Sequence, residues 1–247
     1  MRTDTGGAGR VLRRARRAVH ERLARPGTVP VDVAALVAPL RYDVVVRARL
    51  FDLLAEHAGA PEHVLVEAAS HSAYATWFEH VECARYFPEL LADPEGREQR
   101  FAARVRGAAA LLRSVEERGI DRSHPVTLIT APEGTESESG APALGGLHIG
   151  DGCHRLALLL RAGATLEPWM YKVRPSLGPL VDNTVVLAAR GALTESEYVR
   201  FLGARFPVGA ARTVSRALAT VEAVDAQAAP TLRTVIAAQW PSGPAAD

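Results

Sequence analysis

A glycine-rich hexapeptide between a short strand and a helix constrains this chain more than any other feature. Residues 147–149 alternate as a strand does, and residues 150–155, Gly-Asp-Gly-Cys-His-Arg, lead from it into an apolar helix over 156–162 that ends at Gly163. The first N–H groups of such a helix have no backbone partner and bind anions readily. The pattern therefore predicts a phosphate-binding turn between a strand and a helix.

Each side chain of the turn has a chemical interpretation. Gly150 and Gly152 let the backbone approach an anion, Arg155 can contact two phosphate oxygens, and His154 can donate a further hydrogen bond. A carboxylate beside bound phosphate is costly unless it meets a metal ion, a hydroxyl or a cation, so Asp151 is a candidate general base or Mg²⁺ ligand. We predict Asp151, His154 and Arg155 as catalytic residues. The structural alternative is that Asp151 caps the helix, His154 packs and Arg155 covers the helix end.

The rest of the chain alternates predicted helices with a few short strands. Hydrophobic periodicity predicts helices at 41–58, 62–67, 95–118 and 194–206, and strands at 124–129 and 169–173. The Gly-, Pro-, Ser- and Glu-rich stretch 131–146 predicts a mobile loop or insertion. We predict three parts: a basic N-terminal helix within 1–25, a domain over 26–205 with a helical insertion at about 60–118, and a C-terminal helical segment and tail over 206–247.

The segment 72–91 concentrates aromatic and polar side chains, although the chain is only 6% aromatic. One interpretation is a core helix with a partly polar face. The functional interpretation is a substrate-recognition helix over the phosphate turn, on which His80 and Arg85 bind an acidic or phosphorylated group. The predicted substrate-binding residues are Asp43, Arg47, His71, Tyr74, Glu79, His80 and Arg85.

Composition excludes several classes of protein. The 29 basic and 28 acidic residues of the 247-residue chain leave a formal charge of +1, which disfavours a nucleic-acid-coating protein. No apolar run approaches the roughly 20 residues that span a bilayer, so we expect no membrane partner. The two cysteines, Cys83 and Cys153, allow at most one disulfide, and we expect a reducing, cytoplasmic location.

Residues on both sides of the hexapeptide extend the pattern over about 117–175. They are Gly119-Ile120, His124-Pro125-Val126-Thr127-Leu128, the Asp151-Gly152-Cys153-His154-Arg155 box, Gly163 and Pro168, with a weaker match at Val29-Pro30-Val31 and Leu36. This arrangement resembles the ParB/sulfiredoxin superfamily. The resemblance implies a small mixed sheet of that α+β fold, embedded in a helix-rich chain. It also implies that Gly150, Gly152, Cys153, His154 and Arg155 hold ATP or another nucleotide with Mg²⁺.

Three branches of that superfamily differ in the box. Free serine kinases have Asp-Gly-x-His-Arg, which Asp151, Gly152, His154 and Arg155 match, and the stretch aligned with their catalytic Glu offers Asp43 here. Sulfiredoxins have Gly-Gly-Cys-His-Arg, and Cys153 is similar to their attacking cysteine. DNA-segregation ParB proteins have a Gly-Glu-Arg-Arg type of box followed by a helix-turn-helix domain, and this sequence shows neither.

The resemblance therefore implies a nucleotide-dependent phosphotransferase, using ATP or ADP, that acts on a small hydroxyl- or carboxylate-bearing metabolite. One alternative is a nucleotide-binding regulatory module without catalysis. A second alternative is sulfiredoxin-like chemistry at Cys153.

Overall fold

The structure, a computed structural model, describes residues 23–142 and 145–240. The basic helix predicted within 1–25 lies outside these residues except for its last three positions. Of those, Arg25 is in a short strand and not in a helix. The predicted tail beyond residue 240 also lies outside the described residues.

The described strands form two small sheets. In the larger sheet the order is β1-β6-β3-β4, where β3 runs antiparallel to β4 and parallel to β6, and β1 runs antiparallel to β6. Strands β2 and β5 form an antiparallel pair of their own. The strands are β1 (Arg25–Pro26), β2 (Val31–Asp32), β3 (Val126–Ala131), β4 (Gly146–Asp151), β5 (Thr165–Leu166) and β6 (Tyr171–Pro175). The prediction of an α+β fold with a small mixed sheet is confirmed, and its ParB/sulfiredoxin topology stays a prediction.

The described helices precede β3 and follow β4 in the chain. Those before β3 are α1 (Val33–Val37), α2 (Tyr42–Glu56), α3 (Glu62–Ser70), α4 (Ala73–Trp77), α5 (Ala84–Tyr86) and α6 (Pro94–Arg118). Those after β4 are α7 (Cys153–Arg161), α8 (Thr184–Ala189), α9 (Glu195–Leu202), α10 (Val214–Val224) and α11 (Ala228–Gln239).

Local chemistry explains several helix ends. Asp32 caps α1 by accepting a hydrogen bond from the Ala34 N–H at 2.9 Å. Thr194 and Glu197 form the capping box that begins α9. The long helix α6 ends at Gly119, whose φ of 73° favours glycine.

The segment 72–91 is not one regular α-helix. Helix α4 continues into a π-helix over Phe78–Cys83, then into α5 and a 3-10 turn over Pro88–Leu91. A π-helix has i→i+5 hydrogen bonds, so it rotates the following side chains away from the positions that α-helical spacing predicts. Side chains in this segment therefore do not follow α-helical spacing.

The main apolar core holds α7 in place beneath the turn. Leu156, Ala157, Leu158 and Leu159 of α7 are buried, and the helix packs against α2. The same cluster of apolar side chains extends from Val33 to Ile236, so helices on both sides of the predicted boundary at 205/206 share it. None of the described helices combines the length and the apolar character that a bilayer span requires.

Candidate functional site

The predicted turn is shorter than the hexapeptide, because Gly150 and Asp151 end β4, Cys153 begins α7 and Gly152 alone lies between them. The two glycines of the hexapeptide have separate structural reasons. A Cβ on Gly150 would lie 2.9 Å from Ile129 Cγ1 and 3.0 Å from the Thr127 carbonyl oxygen, both in the neighbouring strand. Gly152 has a φ of 93°, which side chains rarely adopt, and it directly precedes α7. The fold of the turn therefore requires both glycines, whether or not a ligand is bound.

A cavity of about 380 Å³ adjoins this turn. Residues 150–155 form part of its wall. The remaining wall includes Trp77 and side chains of α2, the π-helix, α5 and α6. Five arginines contribute to the wall: Arg41, Arg47, Arg85, Arg104 and Arg155.

A buried carboxylate orients two of these arginines. Asp43 Oδ1 and Oδ2 accept hydrogen bonds from Arg41 Nε and Nη2 at 2.9 and 3.1 Å, and Oδ2 also pairs with Arg47. Burial alone would raise the pKa of Asp43, but the two guanidinium charges outweigh it and hold the pKa well below its usual range. Asp43 is fully buried and is not part of the cavity wall. The predicted substrate contact at Asp43 is therefore corrected to a residue that positions Arg41 and Arg47.

Arg41 also ties the cavity wall to the turn. Its Nη1 donates to the Ile149 carbonyl oxygen at 3.2 Å, and its Nη2 lies 2.9 Å from Cys153 Sγ. Arg47 lies over the Trp77 ring, with Cζ 3.9 Å from the ring centroid. Both guanidinium groups are thus fixed before any ligand arrives, which reduces the entropy that binding would lose.

Several buried polar atoms of the cavity residues lack a hydrogen-bond partner within the part of the chain that the structure describes. They are Arg47 Nε, Trp77 Nε1, Arg155 Nη1 and Asn183 Oδ1. A buried polar group without a partner costs about 1 to 3 kcal/mol, so such groups indicate a missing ligand or water. Three of the four atoms are donors, which matches an anion with several oxygens.

His154 is an uncharged member of the site. Burial, together with the positive charges of Arg47 and Arg104, lowers the pKa of His154 to about 3. The His154 ring packs edge-on against the rings of Phe51 and Trp77, at centroid-to-centroid distances of 6.3 and 6.5 Å. At neutral pH the imidazole can therefore donate one N–H to a ligand but does not contribute a positive charge.

Asp151 lies at an exposed position of the same wall. Its Oδ1 accepts a hydrogen bond from the Gly152 N–H at 2.7 Å. Among the described residues there is no group of three or more His, Cys, Asp and Glu side chains that could hold a metal ion. Asp151 nevertheless fits Mg²⁺, because this ion is often held by one or two carboxylates together with substrate phosphates.

The structure divides the predicted substrate-binding residues. Arg47 and Arg85 contribute to the cavity wall, and Arg85 also pairs with Glu138 of the 131–146 loop. The remaining predicted residues, His71, Tyr74, Glu79 and His80, do not belong to the wall.

Two of these residues have other surroundings. Tyr74 is buried against Trp77 and Phe101, and burial raises its pKa to about 12. Glu79 Oε1 lies 3.6 Å from Arg97 Nη1.

Sequence reasoning missed several residues of the wall, among them Arg41, Glu82 and Arg104. The i,i+4 spacing of Asp43 and Arg47 is a signal for an ion pair on one helix face, and Arg41 lies two residues before Asp43. Glu82 and Arg104 carry no local signal, since tertiary packing brings the π-helix and α6 to the turn. Asn183, which directly precedes α8, also contributes to the wall.

Comparisons with known proteins do not assign a function to this site. No protein-family model, curated protein or solved structure matches the chain. Function is therefore argued from the cavity itself, and membership of the ParB/sulfiredoxin superfamily stays a prediction from the residues of the box.

Proposed function

We propose that the cavity binds the phosphate groups of a nucleotide and that the chain is a nucleotide-dependent phosphotransferase for a small hydroxyl- or carboxylate-bearing metabolite. The observation that carries the proposal is a set of buried donors that have no partner among the described residues: Arg47 Nε, Trp77 Nε1 and Arg155 Nη1, in the cavity at the N-terminus of α7. Phosphate oxygens are suited to all of these donors, because each oxygen accepts hydrogen bonds and carries negative charge.

The charge balance of the wall favours an anion. Arg41 and Arg47 share the single carboxylate of Asp43, whereas Arg85 and Arg104 each have a carboxylate partner, Glu138 and Glu82. The described residues provide no ion-pair partner within 4.0 Å for Arg155. The arginines therefore exceed the carboxylates that neutralise them, and a phosphate group would offset the excess.

The residues of the turn then have distinct roles. Arg155 and the N–H groups that begin α7 bind phosphate oxygens, and neutral His154 donates one further hydrogen bond. Asp151 would hold Mg²⁺ beside the phosphates. When bound, that ion would neutralise negative charge on the phosphates. The fixed arginines stabilise charge on the phosphoryl group without reorganisation.

Isothermal titration with ATP, ADP and CTP, each with Mg²⁺, tests binding. We expect Arg155→Ala to weaken nucleotide binding by about 10- to 150-fold, because it removes a charge-assisted contact of about 1.5 to 3 kcal/mol. Arg161→Ala is the matched control, since Arg161 is in the same helix but pairs with Asp52 at 2.8 Å, outside the cavity wall. Wild-type protein that binds none of the three nucleotides would contradict the proposal.

A transfer assay separates an enzyme from a binding module. Nucleotide labelled at the γ-phosphate is incubated with the protein and a panel of small hydroxyl and carboxyl compounds. We expect labelled product from at least one compound. Tight binding with no transfer to any compound or to water would instead support a nucleotide-binding regulatory module.

One observation favours cysteine chemistry as a second candidate function. Cys153 begins α7, belongs to the cavity wall and has its Sγ 2.9 Å from the positively charged Arg41 side chain, at Nη2. If Cys153 is a nucleophile, Cys153→Ser abolishes turnover. Full turnover of Cys153→Ser would remove this candidate and leave phosphoryl transfer to a hydroxyl or carboxyl acceptor.

A further inference from the structure

We propose that Glu82, which the helical insertion contributes to the cavity, receives the acceptor hydroxyl and takes its proton. This inference rests on the proposed phosphotransferase function and assigns the acceptor side of the same cavity. Its acceptor is a compound with a free hydroxyl group, because a carboxylate acceptor would have no proton to give and would be repelled by Glu82.

Glu82 is one of two carboxylates in the described cavity wall, and the other is Asp151. The two differ in environment, because Glu82 is only 3% exposed whereas Asp151 is an exposed residue. Two carboxylates in different environments beside one reacting group commonly have different roles. The exposed Asp151 suits a hydrated metal ion, and the buried Glu82 in the cavity wall suits a proton acceptor.

The contacts of Glu82 leave one oxygen available to a ligand. Arg104 approaches Glu82 through both Nε and Nη2, and both contacts use Oε1. Arg104 thus fixes the carboxylate in one orientation, while Oε2 takes part in neither contact. An oriented carboxylate oxygen in a cavity wall can accept a hydrogen bond from a hydroxyl group.

Asn183 provides an independent indication that a hydrogen-bond donor binds in this part of the cavity. Its Oδ1 is a buried acceptor without a partner in the described residues, and Asn183 belongs to the same wall as Glu82. Asn183 directly precedes α8, which packs against the π-helix that contains Glu82. Phosphate oxygens cannot satisfy Asn183 Oδ1, because they are acceptors too. A ligand with a donor besides the hydroxyl that Glu82 receives, such as a second hydroxyl group, can.

The π-helix explains how the insertion presents Glu82. With i→i+5 hydrogen bonds, the segment Phe78–Cys83 turns Val81 and Glu82 toward the cavity, while Glu79 pairs with Arg97 instead. Irregular helical turns of this kind often occur at functional sites.

The chemical step is a direct displacement. The acceptor hydroxyl oxygen forms a bond to the γ-phosphorus of a nucleoside triphosphate, and the bond from that phosphorus to the β,γ-bridging oxygen breaks. The bridging oxygen keeps the electron pair and leaves with the nucleoside diphosphate. The hydroxyl proton passes to Glu82 Oε2 and then to solvent.

Glu82→Gln tests the inference, with Glu79→Gln as the matched control. Both glutamates are in the π-helix and face an arginine, but only Glu82 contributes to the cavity wall. The probes are ATP with Mg²⁺ for binding by titration, and transfer of labelled γ-phosphate to water and to a panel of small alcohols. For Glu82→Gln we expect ATP affinity within about threefold of wild type and a transfer rate lower by roughly 100- to 10,000-fold. For Glu79→Gln we expect both values to stay near wild type.

The outcomes separate this inference from the proposed function. If wild-type protein binds no ATP or transfers no phosphoryl group, both fail. If wild type transfers phosphate and Glu82→Gln keeps more than a tenth of its rate, only the role of Glu82 is overturned. A parallel loss of ATP affinity and rate would also overturn it, because Glu82 would then support the nucleotide side. Glu82→Asp keeps the negative charge and serves as a second variant in case Glu82→Gln destabilises the fold. We expect Glu82→Asp to retain measurable transfer at a reduced rate.

Discussion

At the scale of single residues, Asp151 offers the sharpest distinction between binding and chemistry. Asp151→Asn keeps the oxygen that accepts the Gly152 N–H, so we expect its unfolding midpoint to stay near that of wild type. Nucleotide affinity should hold or rise, because a negative charge beside the phosphates disappears. Turnover should collapse, since the asparagine side chain binds Mg²⁺ weakly. Parallel titration and transfer assays measure the two effects.

Two results would assign Asp151 a different role. Full turnover of Asp151→Asn would leave Asp151 with only its contact to the Gly152 N–H. A lower unfolding midpoint together with lower turnover would attribute the loss to a destabilised fold. The carboxylate of Asp43 could not replace it, because both of its oxygens are engaged by Arg41 and Arg47.

The lowered pKa of His154 predicts how the free energy of unfolding depends on pH. The pKa of His154 is about 3 in the folded chain, whereas its ordinary value is 6.5. Below pH 6.5 the unfolded chain therefore binds a proton that the folded chain does not. The free energy of unfolding should therefore fall as the pH decreases from 7 to 5. In urea titrations we expect His154→Gln to reduce this fall, and the exposed His71→Gln to leave it unchanged. An equal pH dependence in wild type and His154→Gln would show that His154 does not remain neutral.

At the scale of elements, the turn between β4 and α7 depends on the backbone of Gly152. Gly152→Ala would place a methyl group at a φ of 93° and 3.0 Å from Val126 Cγ2. We expect a loss of roughly 1 to 3 kcal/mol in the free energy of unfolding. Gly178→Ala is the control, because its Cβ would meet no atom within 4 Å and its φ is not positive. Equal urea midpoints for the two variants would contradict the strain at Gly152.

The elements also show which parts of the site could be predicted from the sequence. The turn at 150–155 was predictable, because strand alternation, two glycines and a helical stripe are consecutive in the chain. The geometry of the segment 72–91 was not, since a π-helix has the composition of an α-helix but shifts every later side chain. That shift explains why Glu79 and His80 were predicted in place of Glu82.

At the scale of the whole molecule, the C-terminal helices belong to the main core. Leu232 of α11 is fully buried in the same apolar cluster as Leu156 of α7. Leu232→Ala should therefore cost about 2 to 5 kcal/mol and lower the midpoint of one cooperative transition. The exposed Leu177→Ala should change stability by less than about 0.5 kcal/mol. A separate early transition in Leu232→Ala, with the remainder unaffected, would instead support an independent unit beyond residue 205.

Long-range packing limited the prediction of the whole site. Its arginines come from α2, α5, α6 and α7, which are far apart in sequence and share no motif. Their ion pairs are equally distant, as Arg104 with Glu82 and Arg85 with Glu138 illustrate. The α+β class and the phosphate turn follow from local patterns, whereas the charge balance of the cavity depends on how these helices pack.

A crystal structure with Mg²⁺ and a non-hydrolysable ATP analogue tests the central claim most directly. We predict that the phosphates contact the N–H groups at the start of α7 and that Arg155 Nη1 and Arg47 Nε donate to phosphate oxygens. The buried donors that lack partners would then be satisfied by one ligand. An analogue bound away from the turn, or a cavity in which these donors bind only water at saturating analogue, would contradict the account.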